Sequence, residues 1–291
     1  MKNLFLFLFL LVVFTSKAQD NRVSGLNSRQ FTKYWKVESE SPDYKVTFQG
    51  DTAEIVSPKG LTLWRKEKMS GKVTIEYDAC VVVESDGDRL SDLNCFWMAS
   101  DPQYPDNLWK REKWRSGIFL NCYSLQLYYL GYGGNHNSTT RFRRYDGDES
   151  GITNPKARPA ILKEYTDAGH LLKPNHWYHI KITNENNRVS YYIDGERLVD
   201  FRDAEPLREG WFGFRTTLSR TRITNFSYEC SSQEAAAVPL QWIGETPRQD
   251  KAVSFGVPFD KGEVFPENKL RLSAAVSYTH LTLPTNSRVE I

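Results

Sequence analysis

Short segments that alternate apolar and polar residues recur at regular spacing between residues 24 and 230, and they constrain the fold more than any other feature. Tyr178, Ile180 and Ile182, for example, would share one face of a strand, because side chains alternate across a strand. Asp194-Gly195 then supplies residues that tolerate the positive φ of a tight hairpin turn. Repeated short strands with turn signals predict an all-β sandwich.

Apolar side chains on these strands provide enough material for a core, and only Asp167–Leu172 has a helical pattern. The side chains expected in the core are Trp177, Tyr178, Ile180, Ile182, Tyr191, Ile193, Phe212, Phe214, Ile223 and Phe226.

Longer motifs resemble known domains. The order HWYHIKI…RVSYYIDGERLVDF…GWFGFRT…TRITNFSYE resembles the end of concanavalin-A-like (laminin-G-like) jelly rolls. LTLWRKEKMSGKVTIEYDACVVV, SDLNCFWMASDP and TTRFRRYDGD are similar to an uncharacterised bacterial domain of polysaccharide-utilisation proteins. The resemblance implies a jelly-roll β-sandwich over residues 26–230. It implies little about activity, since this fold hosts lectins, hydrolases, lyases and adhesion modules.

A second unit is expected after a small-residue linker at residues 231–237. In residues 238–274, VPLQWIG and VSFGVPFDKG resemble the first strands of the N-terminal β-barrel of exo-acting rhamnogalacturonan lyases. A segment of about 35 residues cannot bury an independent core. The fold class is therefore all-β, a concanavalin-A-like jelly-roll β-sandwich followed by an incomplete second β domain.

Both ends of the chain have the character of processing segments. Residues 1–18 predict a signal peptide: Lys2 precedes the apolar run Leu4–Val13, and Ser16-Lys17-Ala18 resembles a cleavage site. The apolar run is shorter than the ~20 residues that span a bilayer, so we expect a periplasmic or secreted protein with no membrane span. Residues 275–291 include VSYTHLTLPT, which resembles a translated sequencing adapter. We expect this tail to be an artefact that truncates the second domain, although the same residues are also acceptable strand material.

Composition narrows the choice of partner. A formal net charge of +2 argues against nucleic acid as a partner, because nucleic-acid binding needs a strongly basic face. Eight Trp and fifteen Tyr suit a thick core or sugar-stacking surfaces. The four cysteines have no zinc-type spacing, and free buried thiols are the favoured expectation. If any pair forms a disulfide, we expect Cys95–Cys122.

The first candidate ligand site lies in the predicted strand TTRFRRYD. Arg141, Arg143 and Tyr145 would share one face, and Arg matches a sugar carboxylate bidentately. The preceding polar loop carries His136, which could reach a ligand. The alternative is a solvated strand whose arginines pair with Asp146 and Asp148.

Two further segments carry candidate ligand contacts. Trp109 and Trp114 lie among cations in YPDNLWKREKWR and could stack on sugar rings, or could simply cover the edge of the sandwich. Asn94 is expected to share a strand face with Phe96 and Met98. It could meet a ligand on a concave face, or could satisfy backbone groups.

An acidic loop is the only candidate metal site. Its residues are Glu84, Asp86, Asp88 and Asp92. Their oxygen ligands would suit a structural calcium ion, but a solvated turn around Gly87 is the favoured expectation. No other cofactor is expected.

Signals for catalysis are incomplete, so the catalytic residues are unknown at this stage. Glu76 and Asp78 match the first half of the glycosidase pattern E-x-D-x-x-E, but Val81 replaces its last acid, and Cys80 fails the shorter pattern E-x-D-x-E. His136, Tyr145 and the two arginines could form the base and charge-neutralising set of a lyase, but they match no lyase signature.

These observations support one leading hypothesis and two alternatives. The leading hypothesis is an exported accessory domain that binds an acidic polysaccharide or oligosaccharide next to a pectin-degrading lyase module. One alternative is that the sandwich is itself a polysaccharide lyase or glycoside hydrolase. The other is a structural or protein-interaction module.

Overall fold

The computed structural model describes residues 22–231, which form an antiparallel β-sandwich. The strands are β1 (Arg22–Ser24), β2 (Trp35–Ser39), β3 (Lys45–Gln49), β4 (Thr52–Arg65), β5 (Met69–Ser70), β6 (Lys72–Val81), β7 (Leu93–Ser100), β8 (Gln126–Gly133), β9 (Thr139–Asp146), β10 (Lys163–Tyr165), β11 (Tyr178–Glu185), β12 (Arg188–Ile193), β13 (Glu196–Arg202) and β14 (Glu209–Ser231). The helical segments are single turns at Phe31–Tyr34, Leu108–Arg111, Glu112–Arg115, Leu120–Ser124, Gly134–Asn137, Ser150–Thr153, Pro155–Ala157 and Ala168–His170. The prediction of an all-β jelly roll is confirmed.

Two long strands, β4 and β14, contribute to both layers of the sandwich. The front layer has the order β10-β9-β8-β7-β14-β4-β2, and the back layer has the order β13-β12-β11-β6-β14-β4-β3. Strand β14 passes from front to back at Leu218, where φ is 49° and the register with β4 shifts. Such a bulge bends a strand sharply, which is how one strand serves two layers.

The main core lies between the layers and contains all but one of the residues predicted for it. The exception is Trp177, which is 43% exposed. It immediately precedes Tyr178, which points into the core, and therefore projects to the opposite face. The prediction for Trp177 was wrong because it placed two adjacent residues, Trp177 and Tyr178, in the same core.

A second apolar cluster lies on the outer face of the front layer, under residues 101–125, which we call the covering segment. The cluster contains Trp64, Phe96, Ala99, Leu108, Cys122, Tyr123, Leu125, Leu127, Tyr129, Tyr145 and Trp211. The last part of the covering segment is a helical turn at Leu120–Ser124, and β8 begins at Gln126. The left-handed backbone conformation of Ser116 and Gly117 leads the chain into this helical turn.

A buried ion pair attaches the covering segment to the sheet. The Arg115 side chain is fully buried and donates from Nη2 to Glu38 Oε2 at 3.0 Å and to the Leu108 carbonyl at 2.6 Å. Burial raises the pKa of Glu38, and the guanidinium of Arg115 opposes that rise. The segment is therefore held by charge as well as by apolar packing.

The four cysteines are free thiols. Cys95 belongs to the core between the layers, whereas Cys122 belongs to the cluster on the other face of the front layer. The prediction of Cys95–Cys122 as the preferred pair was wrong for this geometric reason. Burial raises the pKa of Cys95 to about 12 and that of Cys122 to about 11, so both remain protonated thiols at neutral pH.

The predicted signal peptide, linker, second domain and tail lie outside the described residues. Within residues 22–231, no helix has the length and apolar character needed to cross a membrane.

Candidate functional site

One row of cross-strand neighbours runs across the outer face of the front layer. Its members, paired from strand to strand, are Thr62, Arg215, Asn94, Gly131, Arg141 and Glu164. We call this set the polar row. Directly opposite residues on neighbouring strands lie close enough for their side chains to act together.

The next row along the same strands consists mainly of aromatic residues and lies under the covering segment. Phe96 stacks on Trp64 at 5.7 Å between ring centroids, and Tyr129 lies 5.5 Å from Phe96. Phe119 of the covering segment packs on Tyr129 at 5.6 Å. The covering segment thus closes the aromatic row, while the polar row becomes accessible toward β9, where the Arg141 side chain is 29% exposed.

Arg215 forms the buried end of the polar row. Its Nη1 donates to the Gly117 carbonyl at 2.6 Å and to Thr62 Oγ1 at 3.3 Å. Both acceptors are neutral, and the guanidinium lies 5.6 Å from the centroid of the Phe119 ring. The Arg215 guanidinium is thus held by neutral hydrogen-bond acceptors, and it also interacts electrostatically with the Glu38 carboxylate.

The centre of the row contains an unsatisfied acceptor. Asn94 is 7% exposed; its Nδ2 donates to Asp92 Oδ1 at 3.2 Å, and its Oδ1 has no partner among the described residues. Asp92 has a left-handed φ of 64° and accepts from Arg89 Nη1 at 2.7 Å. A buried acceptor without a partner is unusual and marks a place where a water molecule or a ligand group would bind. Beside Asn94, Gly131 adds no side chain to the row.

The structure separates the three residues expected to share a binding face on β9. Arg141 donates from Nε to Glu164 Oε1 at 2.5 Å, and Arg143 donates to the Pro159 carbonyl. Tyr145 is fully buried under the covering segment, with its ring 5.2 Å from that of Tyr123. The two arginines remain partly exposed, but the expectation that Tyr145 contacts a ligand beside them is corrected.

Arg144, rather than Arg141 or Arg143, makes the ion pair with Asp146 that the alternative interpretation of this strand expected. Arg144 also donates from Nε to Asp203 Oδ2 at 2.7 Å.

The other predicted contacts lie at the margins of the row. Trp109 and Trp114 belong to the covering segment: Trp109 packs against Trp211 at 6.1 Å, whereas Trp114 is 43% exposed with Arg111 4.6 Å from its ring. His136 is exposed, and its Nδ1 lies 3.5 Å from Arg89 Nε. The structure therefore brings Asn94, Arg141 and Arg143 to one face. His136 is connected to this face by its contact with Arg89.

Strand β7 also departs from simple alternation. Met98 was expected beside Asn94 and Phe96, but its φ of 51° turns it into the core between the layers. Ala99 consequently faces the covering segment.

Several residues of the site were missed by sequence reasoning: Arg89, Asp92 as a partner of Asn94, Gly131, Glu164 and Arg215. Arg215 had a usable signal, because it alternates with Phe212 and Phe214 in a strand that is otherwise apolar. Glu164 had none, since it lies on a three-residue edge strand.

The acidic candidates are committed to other partners. Glu76 and Asp78 lie on the outer face of the back layer, where Lys181 and His179 pair with them at 3.3 Å and 2.7 Å. In the acidic loop, Glu84 pairs with Arg220 at 2.7 Å, and Asp88 accepts the backbone amides of residues 84 and 85. No group of three or more metal-ligating side chains occurs within residues 22–231.

Residues 55–226 match the family described as a domain of unknown function, DUF6250, over more than half of the chain. The chain belongs to this family. Residues 236–289 match the PcRGLX-like N-terminal RIFT barrel domain. The second match begins where the rhamnogalacturonan-lyase resemblance was noted and runs through most of the tail interpreted as an adapter.

One solved structure agrees with the fold of the DUF6250 domain. A Bacillus subtilis protein of unknown function with a galectin-like fold superposes with a TM-score of 0.57 at 15% identity, covering 73% of this chain and 96% of that one. The carbohydrate-binding module CBM66 from Bacillus subtilis gives a TM-score of 0.45 at 16% identity, covering 67% and 94%. At these identities the likeness concerns the fold alone. No curated protein matches the chain.

Proposed function

We propose that the DUF6250 domain binds an acidic saccharide along the polar row and does not cleave it. The observation that carries this proposal is the unpaired Asn94 Oδ1, opposite Arg215 in a row whose other end, at Arg141, is partly exposed. The ligand would be a chain of sugars that includes uronic acids.

The chemistry of the row matches the groups of a uronic acid. Arg141 and Arg143 present planar donors that suit a carboxylate. Asn94 Oδ1 would accept from a ring hydroxyl, beside the Tyr129 hydroxyl that occupies the place of a side chain at Gly131. Hydroxyls both donate and accept, so a sugar can satisfy an acceptor and a donor at neighbouring positions.

The engagement of the carboxylates near the row supports binding without cleavage. The row and its rim contain the carboxylates of Glu164 and Asp92, and each is bound to an arginine at 2.5 Å and 2.7 Å, respectively. General acid–base catalysis needs a group that can exchange a proton with the substrate. Carboxylates held by guanidinium groups are poorly suited to that role.

A pectic glycan is the proposed ligand class because a PcRGLX-like barrel match follows the domain along the chain. Export to the periplasm or the cell exterior belongs to the same proposal and is supported by the signal-like residues 1–18. A binding domain of this kind would hold the polymer close to whatever acts on it.

The proposal is tested by calorimetric titration of the full chain with galacturonate oligosaccharides and with neutral oligosaccharides of equal length. We expect micromolar to millimolar affinity for the acidic set, and weaker binding as salt rises. A charged contact contributes about 1.5–3 kcal/mol, so R141Q plus R143Q should weaken binding by about 10- to 100-fold or more.

The matched control is R220Q plus R222Q, which removes two arginines of the same spacing from the back layer. This control should leave binding unchanged. Equal affinity for acidic and neutral sugars, or equal effects of the two double variants, would refute the assignment of the site. Release of unsaturated product would identify the domain as a lyase instead.

A further inference from the structure

A cavity opens at one end of the sandwich, away from the polar row. It lies between the turn that joins β12 to β13 and the segment before β11. Its volume is about 140 Å³. Drug-sized ligands occupy pockets of roughly 300–1,000 Å³, so this cavity suits a single small ring.

Rigid aromatic groups form the inner wall of the cavity. Tyr132 and Tyr178 are buried and meet edge to face at 5.1 Å. The Tyr178 hydroxyl accepts the Lys173 amide at 2.7 Å, and the Tyr132 hydroxyl donates to the Leu171 carbonyl at 3.3 Å. The His176 ring packs against Tyr178 at 4.5 Å. Because both hydroxyls are engaged, this wall is preformed.

Carboxylates and imidazoles line the opposite side. Asp194 Oδ2 lies 3.7 Å from His176 Nε2, and Glu196 Oε1 lies 3.4 Å from His170 Nε2. His170 is in turn held by Asp167 through Nδ1 at 2.8 Å. Among the residues that line the cavity, Lys173 is the one with a permanent positive charge.

The carboxylates also interact electrostatically with the two tyrosines of the inner wall. Burial raises the pKa of Tyr132, and the carboxylates of Asp194 and Glu196 raise it further. Burial also raises the pKa of Tyr178, again with a contribution from Asp194. The two carboxylates thus act on the tyrosine hydroxyls inside the cavity.

We propose that this cavity is a second binding site, which takes one sugar ring carrying a free, protonated amine. The carboxylates of Asp194 and Glu196 would bind the ammonium group and accept from neighbouring hydroxyls. The tyrosine and histidine rings would contact the apolar face of the sugar. This site is separate from the proposed function on the polar row and does not depend on it.

The test is a titration of the full chain, followed by NMR, with glucosamine, N-acetylglucosamine and glucose. We expect glucosamine to bind, and N-acetylation to weaken binding at least tenfold because it removes the charge. D194N plus E196Q should abolish glucosamine binding. The Asp194→Asn change keeps a side-chain oxygen for the His179 amide, which Asp194 accepts at 2.8 Å. Asn also tolerates the left-handed φ of 50° at this position.

The control variant D200N removes a carboxylate from the same hairpin, outside the cavity, where Asp200 pairs with Arg188 at 2.6 Å. Its glucosamine affinity should equal that of the unmodified protein. Three results would overturn the proposal: no binding of glucosamine, equal binding of glucose, or unchanged binding by the double variant with an unchanged unfolding temperature.

Discussion

The front and back layers each carry two arginines spaced two residues apart on the outer face of a strand, and the two pairs have different partners. On the back layer, Arg220 and Arg222 donate from Nε to the two oxygens of Glu54 at 2.9 Å and 2.7 Å. On the front layer, Arg143 donates to a backbone carbonyl, and Arg141 to one oxygen of Glu164 on an edge strand.

This difference shows why spacing alone does not identify a binding site. The R-x-R pattern places two side chains on one face in both layers. Only the partners reveal whether the charges are neutralised. On the back layer the carboxylates of Glu54 and Glu84 are shared between both arginines, whereas on the front layer Arg143 has a neutral backbone acceptor.

The largest expected effect concerns the ion pair beneath the covering segment. R115M leaves Glu38 buried without its partner, and breaking a buried pair costs about 3–5 kcal/mol. The measurement is the free energy of unfolding in urea. A loss below about 1 kcal/mol would show that apolar packing alone holds the covering segment.

A methyl group at Gly131 should disturb the middle of the polar row. The added Cβ would lie 2.2 Å from the Tyr129 hydroxyl, so the Tyr129 side chain must move. We expect G131A to cost about 1–3 kcal/mol of stability and to weaken saccharide binding. The control is G87A, because a Cβ there meets nothing within 4 Å. Equal behaviour of the two variants would contradict the importance of the close contact between Gly131 and Tyr129.

Glu164 should compete with an acidic ligand for Arg141. E164Q removes that competing charge, so the affinity for galacturonate oligosaccharides should rise several-fold. A single exposed ion pair is worth about 0.2–1 kcal/mol, which sets the size of the effect. The back-layer control D200N frees Arg188 in the same way and should leave the affinity unchanged. A loss of affinity in E164Q would mean that Glu164 itself contacts the sugar.

The smallest effect concerns the back layer and depends on pH. Hydrogen bonds from Arg220 lower the pKa of Glu54, although burial opposes the shift. A carboxylate with a lowered pKa stabilises the fold above its unfolded pKa, and this stability is lost as the pH falls through the folded value. E54Q should therefore be less stable than the unmodified protein at pH 7, by less than about 1 kcal/mol. The difference should shrink below pH 4.5, the ordinary value for Glu. A difference that is independent of pH would contradict this account.

The sequence predicted the fold well because strand alternation is a local property. Tyr178, Ile180 and Ile182 alternate with polar residues, and all three are buried as expected. The errors occur where left-handed residues break the alternation, as at Met98 and Ser116. Met98 has no adjacent glycine to signal the change of direction, whereas Gly117 follows Ser116.

The site was less accessible to sequence reasoning because it depends on contacts between distant strands. Asn94, Arg141 and Arg143 were recognised from their residue types, but Tyr145 was placed on the surface because the covering segment above it was not foreseen. Glu164 and Arg215 join the row only through cross-strand register. No local pattern encodes that register.

The most direct test of the central claim is chemical-shift mapping of the ¹⁵N-labelled protein during titration with a galacturonate oligosaccharide. Our account predicts the largest changes at the Gly131 backbone amide and the Asn94 side-chain amide, which are cross-strand neighbours in the polar row. The amides of Arg220 and Arg222 should stay unchanged. Changes centred on the back layer, or none at saturating ligand, would contradict the claim that the front layer binds acidic saccharides.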